Sequence, residues 1–174
     1  MKNITVKRLS LDAIMLACLI VSAYIIIPLP TIAITLQVLV VFLIILLSKS
    51  YDGILILTVY AIMGTIGLPV FSGVNGIASP TYGFILGFII SSIVILVMDK
   101  LLLKKEENNN ISLIVKSCIF IVTIYLICLP YAMFILDNEF IAMLLFFLPY
   151  ILSDIVKIFI AIIIYKRLKN IIEY

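Results

Sequence analysis

The run from Phe147 to Tyr165, FLPYILSDIVKIFIAIIIY, limits what this chain can become more than any other stretch. Its length and apolarity suit a membrane crossing, which needs about 20 predominantly apolar residues, yet it carries Asp154 and Lys157. Setting either charge at the centre of a spanning helix costs roughly 2.5 to 3.5 kcal/mol on insertion scales. Lys157 stands about eight residues from the nearer end of the run, roughly 12 Å at 1.5 Å per residue, too deep for its ammonium to snorkel to water. Three positions apart on a helix, the two side chains share a face and can pair. That face must look into protein rather than lipid. Ionisable groups inside a span mark substrate or ion sites. A pair that only bridges two helices is the competing reading.

The same conflict between charge and lipid governs the whole chain. Of its 174 residues, 66% are hydrophobic and 12% charged, and the mean hydropathy is +1.39. These values describe an integral membrane protein of the all-α class. The chain has room for about six spanning helices with short links, forming one membrane domain over residues 1–174. Histidine is absent, which removes the commonest metal ligand and the commonest general acid or base. Cys18, Cys118 and Cys128 fall in apolar runs without CxxC spacing, so they read as small packing residues, and no metal or cofactor is expected.

In chain order, helix 1 is expected over about 10–27, with Ser10 and Asp12 as caps and no small-x-small cleavage site before Pro28. Ala13 and Ala17, one turn apart, form a small-residue face that permits close helix approach, for ordinary packing or for a partner. Pro28 and Pro30 end that helix. Helix 2 follows over about 32–47, with Gln37 as a polar group that needs a helix or a ligand as partner. Asp52 is a plausible N-cap for helix 3, about 53–68. From Tyr60 to Gly87 the chain holds six of its seven glycines and two of its six prolines, so the helical pattern breaks. Between Leu68 and Thr81 the backbone is too interrupted to span. Such backbone is tolerated at membrane depth only where protein buries it or a cavity borders it, so this loop is expected to fold over or into the protein. Gly73 allows close approach of backbone to a ligand, and Phe71 and Tyr82 can cover an apolar one. Helix 4 is expected over about 81–103, with Gly83, Gly87 and Ser91 as a small-residue face; helix 5 over about 112–136, kinked at Pro130; and helix 6 over about 144–168.

Eleven of the twelve Lys and Arg lie at the N-terminus, at Lys49, between Lys100 and Lys116, or after Tyr165; the twelfth is Lys157. The three links on the opposite side have none. The positive-inside rule then places both termini in the cytoplasm and the glycine-rich loop between helices 3 and 4 outside. Helix 6 enters from outside, so Asp154 is expected about ten residues into it, within reach of that loop and of Gln37. An outward-opening polar cavity is the simplest arrangement that joins these groups.

GLPVFSG at 67–73, SPTYGFILGF at 79–88 and PYILSDIVKIFIA at 149–161 resemble the BioY family, the biotin-specific substrate-binding (S) components of energy-coupling factor (ECF) transporters. ITLQ at 34–37 and the Ala13, Ala17 face fit as well. The likeness extends over nearly the whole chain, with VNGIA and SPTYG standing where family members carry a longer glycine-rich stretch and a GPTGG-like turn. It implies a six-helix bundle in a prokaryotic cell membrane that captures biotin from outside. It also implies partners: a shared membrane coupling subunit, contacted through Ala13 and Ala17, and two cytoplasmic ATPase subunits. The chain carries no GxxxxGK[ST] motif of its own. Asp154 would accept from the ureido N–H groups of biotin, Lys157 or Asn75 would donate to the ureido carbonyl, and Phe71, Tyr82 or Tyr60 would pack on the thioether ring. The loop at Leu68 to Pro80 would act as a gate. Other ligands, riboflavin or thiamine, suit the same architecture, and a membrane scaffold needs no ligand. An intramembrane enzyme is disfavoured, since no nucleophile stands beside a base and no carboxylate pair shares a span.

Overall fold

A computed structural model of the chain describes residues 6–28, 33–48, 51–71, 76–101, 109–169 and 171. Among these residues six α-helices form: α1 Val6–Tyr24, α2 Gln37–Leu47, α3 Asp52–Thr65, α4 Tyr82–Leu101, α5 Asn110–Leu136 and α6 Phe140–Leu168. The last three are long and apolar enough to cross a membrane, and α2 and α3 are shorter apolar helices. Polarity is inverted relative to a soluble bundle. Val122, Leu126, Val156 and Phe159 are exposed, while Asp154, Lys157, Ser91 and Ser92 are buried.

The helix ends differ from the sequence expectation in physically informative ways. Ser10 lies inside α1, where its hydroxyl donates to the Val6 carbonyl at 2.9 Å instead of capping the helix. Helix α1 stops at Tyr24, three residues before the expected Ile27. The chain then forms a two-stranded antiparallel ribbon, β1 Ile26–Pro28 with β2 Ala33–Thr35. Proline cannot continue a helix, the β-branched Ile and Thr of this stretch suit strands, and the ladder supplies partners for backbone groups that lipid would leave unpaired. Helix α2 accordingly starts at Gln37 rather than near Ile32. Helix α3 ends at Thr65 rather than Leu68, before Gly67 at φ 91°, a left-handed conformation that favours glycine. Asp52 is the first residue of α3 and caps nothing; Tyr51 holds the cap position. At the other end of the sequence, α6 starts at Phe140, four residues before the expected Leu144.

The helices close in a ring in the order α1, α2, α6, α5, α4, α3, with α2 also touching α3 and α4. This order brings the start of α2 beside the middle of α6, although more than a hundred residues separate them. The centre is partly aromatic. Phe42 of α2 and Phe120 of α5, both fully buried, stack with ring centroids 4.9 Å apart. One end of the ring is tied by charge: Arg8 of α1 grips Asp52 of α3 with Nε and Nη2, each at 2.5 Å, and Lys116 of α5 pairs with Asp99 of α4 at 2.8 Å.

Helices α4 and α5 make the closest approach, through the small-residue face read from the sequence. A Cβ on Gly83 would lie 2.9 Å from Cys128 Cα, and one on Gly87 would lie 3.1 Å from Ile124 Cα. Both obstacles are backbone and cannot rotate away, so a side chain there must push the helices apart. Gly87→Leu is therefore expected to destabilise the protein by about 1 to 3 kcal/mol, read as a lowered thermal unfolding midpoint in detergent. An unchanged midpoint would contradict this packing.

Candidate functional site

Asp154 is the fifteenth of the 29 residues of α6, deeper than the expected ten because the helix starts earlier. The aliphatic residues beside it, Ile155 and Val156, face outward, so Asp154 and Lys157 turn inward, where they are 2% and 6% exposed. Lys157 Nζ donates to Asp154 Oδ1 at 2.7 Å, and Tyr125 of α5 donates its hydroxyl to Asp154 Oδ2 at 2.8 Å. One carboxylate oxygen is thus held by a cation and the other by a neutral hydroxyl donor, which is what permits a charge to be buried here. Aromatic rings enclose the group. Phe84 of α4 meets Tyr125 edge-on at 5.6 Å and Phe147 at 5.7 Å, and lies 6.0 Å from Tyr150.

The pair opens onto a cavity of about 220 Å³. Asp154, Lys157 and Gln37 supply its strongly polar groups; Phe71, Tyr82 and Phe84 supply aromatic surface; and Thr35, Ser79 and Thr81 bring hydroxyls from the ribbon and from the start of α4. Gln37 is fixed on both sides of its amide. Its Oε1 accepts from Thr35 Oγ1 at 2.9 Å, and its Nε2 donates to the Tyr60 hydroxyl at 2.7 Å. That hydroxyl in turn donates to the Val70 carbonyl at 3.1 Å. A rigid carboxylate, an ammonium with N–H groups to spare and aromatic walls can together hold a small heterocycle that both donates and accepts hydrogen bonds.

Five of the residues singled out from sequence therefore line a single cavity: Gln37, Phe71, Tyr82, Asp154 and Lys157. Tyr60 does not. It is fully buried behind Phe71, whose ring it meets edge-on at 5.1 Å, so it acts through Gln37 and the 69–71 segment rather than as cavity wall. Gly73 and Asn75 lie outside the described residues. Ala13 and Ala17 sit on the exposed face of α1, away from the cavity lining. Sequence reasoning missed Tyr125, Thr35, Phe84 and Tyr150. For Tyr125 a signal exists: a phenol within IVTIYLICL needs an acceptor inside the bundle as surely as Asp154 needs a donor.

Comparison with known proteins places this geometry. The profile of the BioY family matches residues 1–174. A probable biotin transporter BioY of Pyrococcus horikoshii is 34% identical over 170 residues, covering 94% of this chain and 97% of that protein. A probable biotin transporter BioY of Lysinibacillus sphaericus is 32% identical over 135 residues, 75% of this chain and 67% of that protein. The biotin transporter BioY of Thermotoga maritima is 39% identical over 94 residues, 51% of this chain and 55% of that protein. Among solved structures, the S-component for biotin from an ECF-type ABC transporter, a crystal structure at 2.1 Å, superposes with a TM-score of 0.84, covering 98% of this chain and 94% of that one. At 23% identity that likeness speaks for the fold. The relatives carry the names of transporters rather than enzymes, and the whole-chain profile match and the near full-length relative agree that the chain belongs to the BioY family.

Proposed function

We propose that this protein captures biotin from outside the cell and, as the S component of an ECF transporter, delivers it inward. The observation that carries the reading is the buried Asp154–Lys157 pair facing an aromatic-walled cavity of about 220 Å³. Biotin offers two ureido N–H donors and one carbonyl acceptor. Asp154 keeps acceptor capacity beyond its bonds to Lys157 and Tyr125, and Lys157 keeps two further N–H donors, so each atom of the ureido group finds a match. Asn75 is a second candidate donor to the ureido carbonyl. Phe71 and Tyr82 present surface for the thioether ring. A ligand without the ureido atoms would leave buried charges unpaired, which is a strong basis for discrimination. The names of the relatives support the same ligand.

In this reading the six-helix bundle is embedded in the cell membrane of a prokaryote. The basic residues Arg8, Lys100, Lys166 and Arg167 mark the cytoplasmic end, with both termini there. The segment from Leu68 to Pro80 lies outside as a gate. The exposed Ala13 and Ala17 form the contact with the membrane coupling subunit, through which two ATPase subunits supply the energy.

Radiolabelled biotin is expected to bind the detergent-purified protein saturably and not to be displaced by riboflavin or thiamine. Asp154→Asn and Lys157→Met should each weaken binding about thirtyfold or more, since truncating one partner of a buried charged pair costs about 2 to 5 kcal/mol. Monodisperse elution would show that the variants fold. If folded wild-type protein binds no biotin, the ligand assignment falls; a ligand-free scaffold would also tolerate Asp154→Leu combined with Lys157→Met.

Tyr125→Phe removes a single donor to Asp154 and is expected to weaken biotin binding about tenfold while leaving the cavity walls in place. Wild-type affinity in this variant would remove Tyr125 from the site. Orientation is open to impermeant thiol labelling of a cysteine-free variant in intact cells: a cysteine replacing Asp137 should react from outside, and one replacing Lys169 only after permeabilisation. The reverse pattern would overturn the topology.

A further inference from the structure

Residues 69–71 leave α3 and reach the cavity with little freedom. The Tyr24 hydroxyl donates to the Pro69 carbonyl, the Tyr60 hydroxyl donates to the Val70 carbonyl at 3.1 Å, and Val70 is 4% exposed. The backbone is thus pinned just before Phe71, and the ring of Phe71 must go where the remaining space allows. That space is a notch in α3 at Gly64. A Cβ built on Gly64 would lie 2.0 Å from Phe71 Cζ, 2.1 Å from Cε2 and 2.5 Å from Cε1, so the ring occupies the very volume that any side chain at position 64 would need.

Gly64 therefore differs from the two glycines at the α4–α5 contact. At Gly83 and Gly87 the obstacle is the backbone of α5, and a side chain there separates two helices. At Gly64 the obstacle is the far end of a side chain, which can rotate, and the fold need not change. Tyr60 closes one side of the Phe71 ring edge-on at 5.1 Å, while Tyr82, which lines the cavity with Phe71, stands 6.2 Å away on another. Since the Tyr60 side is filled and fully buried, a displaced ring moves into the cavity.

We propose that Gly64 is a specificity-determining position of this transporter: it seats Phe71 in α3 and so keeps open the part of the cavity that receives the ring system of the ligand. The proposal rests on the assignment of the cavity as the biotin site, and it predicts a residue outside the cavity lining that controls ligand fit through a neighbour. Gly64 is a positioning residue and touches no ligand atom. Even one methyl group at position 64 forces the ring to shift by more than an ångström to regain van der Waals distance.

The test compares wild type, Gly64→Ala, Phe71→Leu and the double variant Gly64→Ala/Phe71→Leu, each purified in detergent, by equilibrium binding of radiolabelled biotin and by thermal unfolding. Gly64→Ala is expected to bind at least tenfold more weakly than wild type with an unfolding midpoint within a few degrees of it. The double variant should recover to the affinity of Phe71→Leu alone, since the smaller side chain no longer competes with the new methyl group. Wild-type affinity in Gly64→Ala, or a double variant as weak as the two losses combined, would overturn the proposal. A second measurement needs no ligand: the ¹⁹F resonance of Phe71 in fluorophenylalanine-labelled protein, identified by its disappearance in Phe71→Leu. It should move in Gly64→Ala while the other phenylalanine resonances stay. An unmoved Phe71 resonance overturns the seating of the ring whatever the ligand, whereas a moved resonance in a protein that binds no biotin upholds the seating and rejects biotin as ligand.

Discussion

A charged pair at the middle of a membrane-crossing helix is tolerable only if the rest of the molecule encloses it, and much of this structure follows from that demand. Asp154 uses both oxygens, one for Lys157 on its own helix and one for Tyr125 of α5. Satisfying the second oxygen requires α5 to pack beside α6, and the small residues Gly83 and Gly87 let α4 close against α5 in turn. The carboxylate then lies among rings from Phe84, Tyr125, Phe147 and Tyr150, with the cavity on its open side. In so low a dielectric, charge-assisted hydrogen bonds strengthen and an unmatched polar atom becomes expensive. An environment that makes a charge costly to leave unpaired is also one that can discriminate sharply among ligands.

The cavity illustrates a division of labour common in binding proteins. A few groups face the ligand space, and others fix those groups. Gln37 is held by Thr35 and Tyr60; Tyr60 is spent wholly on holding Gln37 and the Val70 carbonyl; and Phe71 is seated by the absence of a side chain at Gly64. Pre-organisation of this kind lowers the ordering entropy that a ligand must overcome on binding. Rigid helices carry Gln37, Tyr82, Asp154 and Lys157, while the connections contribute Thr35, Phe71 and the hydroxyls of Ser79 and Thr81.

What could be read in advance followed from strong local constraints. Asp154 and Lys157 stood out because nothing else in FLPYILSDIVKIFIAIIIY is charged, Gln37 because an amide in an apolar helix needs a partner, and Phe71 and Tyr82 because they are aromatic side chains in the glycine- and proline-rich stretch. The errors were equally physical. Tyr60 looked like cavity wall, since burial behind a neighbour leaves no trace in a single sequence. Tyr125 escaped notice because a tyrosine in an apolar helix is unremarkable until its acceptor is known. The strands Ile26–Pro28 and Ala33–Thr35 were expected as the end of helix 1 and the start of helix 2 joined by a turn, because strand pairing depends on a partner that local propensity does not name.

The sequence by itself determined that this chain belongs in a membrane as a bundle of apolar helices, and that the face of α6 bearing Asp154 and Lys157 must turn inward. Those conclusions depend only on local composition and on the penalty for exposing charge to lipid. Only the tertiary structure decided which groups meet that face. The ring order that sets α2 against α6, the reach of Tyr125 to Asp154 and the seating of Phe71 at Gly64 each join residues far apart in the chain or across a turn. Such contacts follow from how whole helices pack, which is a property of all the side chains at once and of no single segment.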